Sequence, residues 1–136
     1  MSSDYSIILP SYRNIVDGES AMPEAKFNPP STVEKEAKRG LELRQKVPAS
    51  RRGGTAVGIA RARDIVADKN LSLSTLKRMK AFFDRHEVDK QASGWTPEEE
   101  GYPSKGLQAW LLWGGDSGRR WVEKKLAQLQ RAKQKK

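Results

Sequence analysis

The stretch from Pro103 to Trp121, PSKGLQAWLLWGGDSGRRW, constrains the fold more than any other part of the chain. It holds three of the four tryptophans and four of the eleven glycines. A helix is expected to start at Ser104, just after Pro103. Leu107, Trp110, Leu111 and Leu112 leave that helix little exposed surface, which places it at the centre of the core. Gly114-Gly115 ends it, because glycine takes positive φ without a Cβ clash. Asp116 is expected to cap a last helix that carries Trp121, Val122, Leu126 and Leu129 on one face and runs to about Gln130. A buried helix, a glycine stop and an immediate restart are the marks of helix-on-helix packing.

The rest of the chain supplies partners for this pair. After Pro29-Pro30, Ser31 is in N-cap position with Glu34 three residues on, a capping-box spacing. Val33, Ala37 and Leu41 form an apolar stripe, and Pro48 is expected to end this first helix near Val47. A second helix is expected from Thr55, its cap, to Lys69. Val57, Ala60, Ile65 and Val66 make its core face, Arg61 and Arg63 point elsewhere, and Asn70 takes the left-handed position at its end. A third helix, Thr75 to His86, buries Leu76, Met79, Phe82 and Phe83. In the polar loop that follows, Trp95 folds back over the core. Thr96 caps a short turn there, with Pro97 and Glu98–Glu100 near its positive end. The expected fold is all-α: a compact bundle of about five short helices over 31–130, with an extended N-terminal arm (1–30) and a basic tail (131–136). Its core is Trp110, Trp113, Trp121, Leu107, Leu111, Phe83, Phe82, Met79 and Ile65. A length of 136 residues suits one domain with a single modest core.

Residues 1–30 lack helical periodicity, and prolines at 10, 23, 29 and 30 with Asp17-Gly18 would break a long helix. Ile7, Ile8, Leu9, Tyr12, Ile15 and Val16 are nonetheless too apolar for a well-solvated tail. The segment reads as an extended arm lying along a surface, its own or a neighbour's.

Charge narrows the partners. The chain carries +9 with a pI near 9.9, which points to nucleic acid, an anionic protein surface or anionic lipid. The arm is acidic: Arg13 and Lys26 stand against Asp4, Asp17, Glu19 and Glu24, a net of −2. Arg119 to Lys136 holds eight basic residues and one acid, Glu123. No apolar run is long enough to span a membrane, the first residues do not read as a signal peptide, and the chain reads as soluble. Without cysteine there is no disulfide or thiolate chemistry.

Four motifs invite a chemical reading. Ser50-Arg51-Arg52-Gly53-Gly54-Thr55 sets two arginines beside two glycines, a composition that suits a phosphate. It lacks a Lys-Ser or Lys-Thr at P-loop spacing, however, and is better read as a solvated turn. The second and third helices resemble a helix-turn-helix pair, with Lys77, Arg78 and Lys80 placed for phosphates, but only Ser74 and Thr75 precede them to read bases. His86 has acidic neighbours but no second His or Cys, so no metal is expected. Asp116-Ser117 lacks the Gly-x-Ser-x-Gly spacing of a hydrolase and, with one imidazole in the chain, no base is at hand; no enzyme activity and no cofactor are expected.

Across residues 27–126, FNPPSTVEKEAKRGLELR, GGTAVGIARARDIV, LSLSTLKRMKAFFDRHEVDK, Gly94-Trp95 and PSKGLQAWLLWGGDSGRRW occur in that order. This combination resembles a small module that recurs in bacteriophage genomes, alone or attached to head-region proteins. The resemblance implies a phage origin and a virion or assembly role. The expectation is a virion structural protein: a minor capsid, cement or head-associated component, resident in the virion and in the host cytoplasm during assembly. Its arm would bind neighbouring subunits. Its basic residues Arg51, Arg52, Lys77, Arg78, Lys80, Arg119, Arg120, Lys124 and Lys125 would meet capsid or portal-region proteins, or packaged DNA. The alternative is a nucleic-acid-binding protein that uses the helix-turn-helix-like pair and the basic C-terminal helix.

Overall fold

A computed structural model describes residues 26–134. The arm residues Ile7, Ile8, Leu9, Tyr12, Ile15 and Val16 lie outside the described residues. The fold is all-α. In chain order the elements are β1 (Lys26–Phe27), α1 (Ser31–Lys46), α2 (Ala56–Val66), β2 (Leu71–Ser72), α3 (Leu73–His86), α4 (Lys105–Leu112) and α5 (Gly115–Gln134). The two strands pair antiparallel, Lys26 opposite Ser72 and Phe27 opposite Leu71.

All nine expected core residues are buried, and Trp110, Phe83 and Ile65 are among the largest fully buried side chains. α1 lies chiefly against α4 and also touches α2 and α5, while α3 packs on α5. The close crossing of α1 and α4 depends on Gly40: a Cβ there would stand 2.8 Å from the Leu112 backbone nitrogen. Leu41, assigned to the buried stripe, is half-exposed at the rim of the core, because the deep position goes to Gly40.

The helix termini depart from expectation in instructive ways. Ser31 is the first helical residue of α1, not its cap; extended Pro30 holds that position, and its carbonyl accepts from the amides of Val33 and Glu34. Thr55 does cap α2, its hydroxyl accepting from the Gly58 amide, but the helix stops at Val66. Asp68, not Asn70, takes the left-handed conformation after it, with φ of 61°. α3 starts two residues early because Ser72 caps it, its hydroxyl accepting from the Thr75 amide. The Thr96 turn is held from its far side: one Glu99 carboxylate oxygen accepts from the amides of Gly94, Trp95 and Thr96. Trp95 does cover the core, edge-on to Trp110.

α5 begins at Gly115, after Gly114 and Gly115 both take positive φ, so Asp116 is in its first turn and not its cap. Glu36 of α1 caps it instead, its carboxylate accepting from the Ser117 amide at 2.8 Å. A carboxylate at a helix N-terminus meets both free amides and the positive end of the dipole. α5 then continues to Gln134, so its basic end extends into the expected tail.

α2 is rotated from its expected register. Gly58, Ala62 and Ile65 are buried and Ile59 packs on the core, whereas Val57 is 58 % exposed and Ala60 and Val66 also face out. The small residues win because Trp113 lies against this helix: a Cβ on Gly58 would be 3.0 Å from the indole nitrogen. Arg61, expected to point away, is largely buried, with its guanidinium 5.8 Å from the centre of the Trp113 ring.

Candidate functional site

The arginine-glycine loop proves to be a structural joint. Ala49–Arg51 forms a short 3-10 turn, and Gly53 lies so close to the start of α4 that a Cβ would run into the Lys105 backbone. The Gly53 amide, one of the donors a phosphate could use, is already bonded to the side chain of Gln108 at 2.8 Å. Gln108, fully buried, also donates to the carbonyls of Arg51 and Pro103. Arg51 donates to the Gly101 carbonyl and Arg52 to that of Val47. Gly53, Arg51 and Arg52 are thus engaged with α4 and neighbouring backbone.

The other basic residues divide into two groups. Lys80 pairs with Asp84 at 2.8 Å. Arg119 pairs with Glu87, with Glu123 and more distantly with Asp84, so Lys80 and Arg119 share an acid. The Arg119 pairs with Asp84 and Glu87 tie α3 and the turn after it to α5. Lys77, Arg78, Arg120 and Lys124 are exposed, and Lys125 is half-exposed; Arg120 makes one long bond to the Ser117 hydroxyl. α2 and α3, despite their short connection, find their main partners in different helices, α1 and α5. That is not the mutual packing of a helix-turn-helix pair.

Between the first turn of α2 and α3 lies a groove of about 570 Å³. This is within the range, roughly 300–1,000 Å³, of sites that hold a small molecule or a short anchor segment. Its floor is a stack of rings. Phe82 lies parallel to Trp113 at 4.8 Å between centroids, and His86 lies on Phe82 at 4.5 Å. Val57, Ala81 and Ala109 add apolar wall, and Arg78, Arg85 and Lys105 add positive charge. The one carboxylate in the lining, Asp89, is bonded to His86 Nδ1 at 3.0 Å. Of the predicted basic residues, only Arg78 lines this groove. Sequence reasoning missed it because Arg85 and Lys105 are far apart in the chain and Val57 was assigned to the core. Among the described residues no three His, Cys, Asp or Glu side chains gather as metal ligands, and no helix is long and apolar enough to cross a membrane.

Three carboxyls are held below their ordinary range. For Asp84 the leading cause is the hydrogen bond from Lys80, opposed by partial desolvation and reinforced by the charges of Lys80 and Arg119. For Glu99 it is the amides of Trp95 and Thr96, joined by that of Gly94. At Asp116 desolvation is the largest single influence and acts upward. The bonds from Lys90 and Trp110, with the charges of Lys90 and Arg120, outweigh it. A depressed carboxyl stabilises the fold fully above its unfolded-state pKa, about 3.9–4.3, and that contribution is lost as pH falls through the lower folded value. The melting temperature is therefore expected to hold down to about pH 5 and to drop below about pH 4. Asp116→Asn should show a shallower acid-induced drop in the same melts, and a wild-type profile flat to strong acid would contradict the assignment.

No known family model, curated protein or solved structure matches the chain.

Proposed function

We propose that this chain is a structural protein of a bacteriophage particle, a minor capsid, cement or head-associated component whose helical domain is a protein-docking module. The observation that supports docking is the groove: an aromatic floor with cations at its edge suits an apolar segment flanked by acids. A phosphate backbone asks instead for a continuous cationic surface. Here Lys80 and Arg119 are engaged in ion pairs, and Arg51 and Arg52 donate to backbone carbonyls. The phage assignment rests on the ordered motifs of residues 27–126, and the assembly role on the apolar residues of the arm, whose burial against a neighbour would offset the entropy of fixing it.

The test is made on particles. The chain should be present in fixed stoichiometry in virions purified from the phage that encodes it, and deletion of residues 1–26 should remove it from them. Particle proteomes that lack the chain would overturn the reading. DNA affinity in the micromolar range or tighter, falling steeply with salt, would favour nucleic-acid binding through Lys77, Arg78, Arg120 and Lys124.

A further inference from the structure

We propose that the groove between α2 and α3 is the seat of the chain's own N-terminal segment, Ile7 to Val16, docked within the same molecule. The inference rests on the reading of residues 1–30 as a docking arm and adds where that arm lies in the free protein.

Three observations carry it. The first is chemical complementarity. The groove offers the exposed side chains of Val57 and Ala81 above a floor formed by the largely buried rings of Phe82 and Trp113, and the segment offers Ile7, Ile8, Leu9, Tyr12, Ile15 and Val16. The second is charge. Residues 1–25 contain Asp4, Asp17, Glu19 and Glu24 against Arg13 alone, and the groove sets Arg78, Arg85 and Lys105 around its apolar floor. Apolar contact supplies the free energy, and opposite charges at the edge set orientation.

The third is direction. In the antiparallel register Phe27 faces Leu71 and Lys26 faces Ser72, so β1 followed from Phe27 back to Lys26 points toward Leu73, the first residue of α3. Arg78, Ala81, Phe82 and Arg85 recur at helical spacing along one side of α3 and line the groove. From Ser72 to Arg85 is about 20 Å along a helix axis. The residues between Val16 and Lys26 span up to about 30 Å when extended, so the connection reaches the groove with slack. A tether of that length gives an effective concentration on the order of millimolar, which favours the segment of the same molecule over that of another. Docked there, the arm covers its own apolar residues until a neighbouring subunit competes for them.

The absence of cysteine makes a single spin label simple to place. Lys77→Cys carries a nitroxide on the exposed side of α3, beside the groove but outside its lining. In the ¹⁵N-labelled full chain, the amides of Ile7–Val16 are expected to lose most of their intensity relative to the reduced label, to the same degree on dilution. Adding Arg78→Glu and Arg85→Glu should restore that intensity while the far-UV circular dichroism stays unchanged. Full intensity with the oxidised label would overturn the proposal. So would broadening that appears only when label and ¹⁵N are on different copies. A chain that enters particles only with its arm, yet shows no broadening, would keep the assembly role and lose this seat.

Discussion

Replacing Trp110 with alanine is expected to cost about 3–5 kcal/mol of folding stability, the usual range for removing a fully buried large aromatic. Trp110 is 1 % exposed and meets Phe83 and Trp95 edge-on, at 4.9 and 5.9 Å between centroids. Its indole N–H donates to Asp116 at 2.9 Å, and Lys90, which pairs with the same carboxylate, lies over the ring. The side chain therefore joins α4 to α3, to the Trp95 loop and to the first turn of α5. For a domain of this size the loss corresponds to a fall in melting temperature of about 10–25 °C. Trp110→Phe keeps most of the apolar area and loses the bond to Asp116, so it should fall between wild type and the alanine variant. Urea unfolding of the three proteins checks the order. Near-wild-type stability of Trp110→Ala would remove α4 from the centre of the fold.

The residues that made this core legible are large and regularly spaced. Trp110, Trp113 and Trp121 with Leu76, Met79, Phe82 and Phe83 are each too apolar to leave outside, and their spacing fits only helices. The α2 register was not legible for the opposite reason. Its buried face is Gly58, Ala62 and Ile65, and a ranking by hydrophobicity selects Val57 and Val66 over a glycine and an alanine. What decides the register is the bulk of Trp113, which comes from a helix some fifty residues away and needs a neighbour without a side chain. The groove was hidden for the same kind of reason, since its lining comes from three separated helices and the turn after α3.

Charge reads differently once partners are assigned. In sequence, Arg51, Arg52, Lys80 and Arg119 add to the positive charge of the chain; in the fold Arg51 and Arg52 bond backbone carbonyls, Lys80 pairs within α3, and Arg119 reaches from α5 to Asp84 and Glu87. A net charge sums what a partner meets with what the protein uses on itself. The cations left exposed on α3 are Lys77, Arg78 and Arg85, two of them on the groove.

The second large effect is expected at Gln108, a polar side chain in a helix that also buries Leu107, Trp110, Leu111 and Leu112. This glutamine is fully buried. Its amide spends both ends on backbone: Oε1 accepts from Gly53, and Nε2 donates to Arg51 and Pro103 at 3.1 and 3.0 Å. Leucine has nearly the same shape and none of these bonds. Gln108→Leu leaves a buried amide and a buried carbonyl without partners, at roughly 1–3 kcal/mol each, so the expected loss is about 2–5 kcal/mol despite the gain in apolar character. Gln108→Glu separates hydrogen bonding from shape. As a carboxylate it still accepts from Gly53 but turns negative oxygen toward two carbonyls, and desolvation with that repulsion raises its pKa above the unfolded value. A raised carboxyl favours the fold below its unfolded-state pKa and loses that advantage as pH rises through the folded one. The glutamate variant should therefore approach wild type under mildly acidic conditions and fall well below it at neutral pH, while the leucine deficit stays nearly constant. Chemical denaturation of both variants at two pH values gives the answer. A leucine variant as stable as wild type would mean that the joint between the Gly53 loop and α4 is held by packing alone.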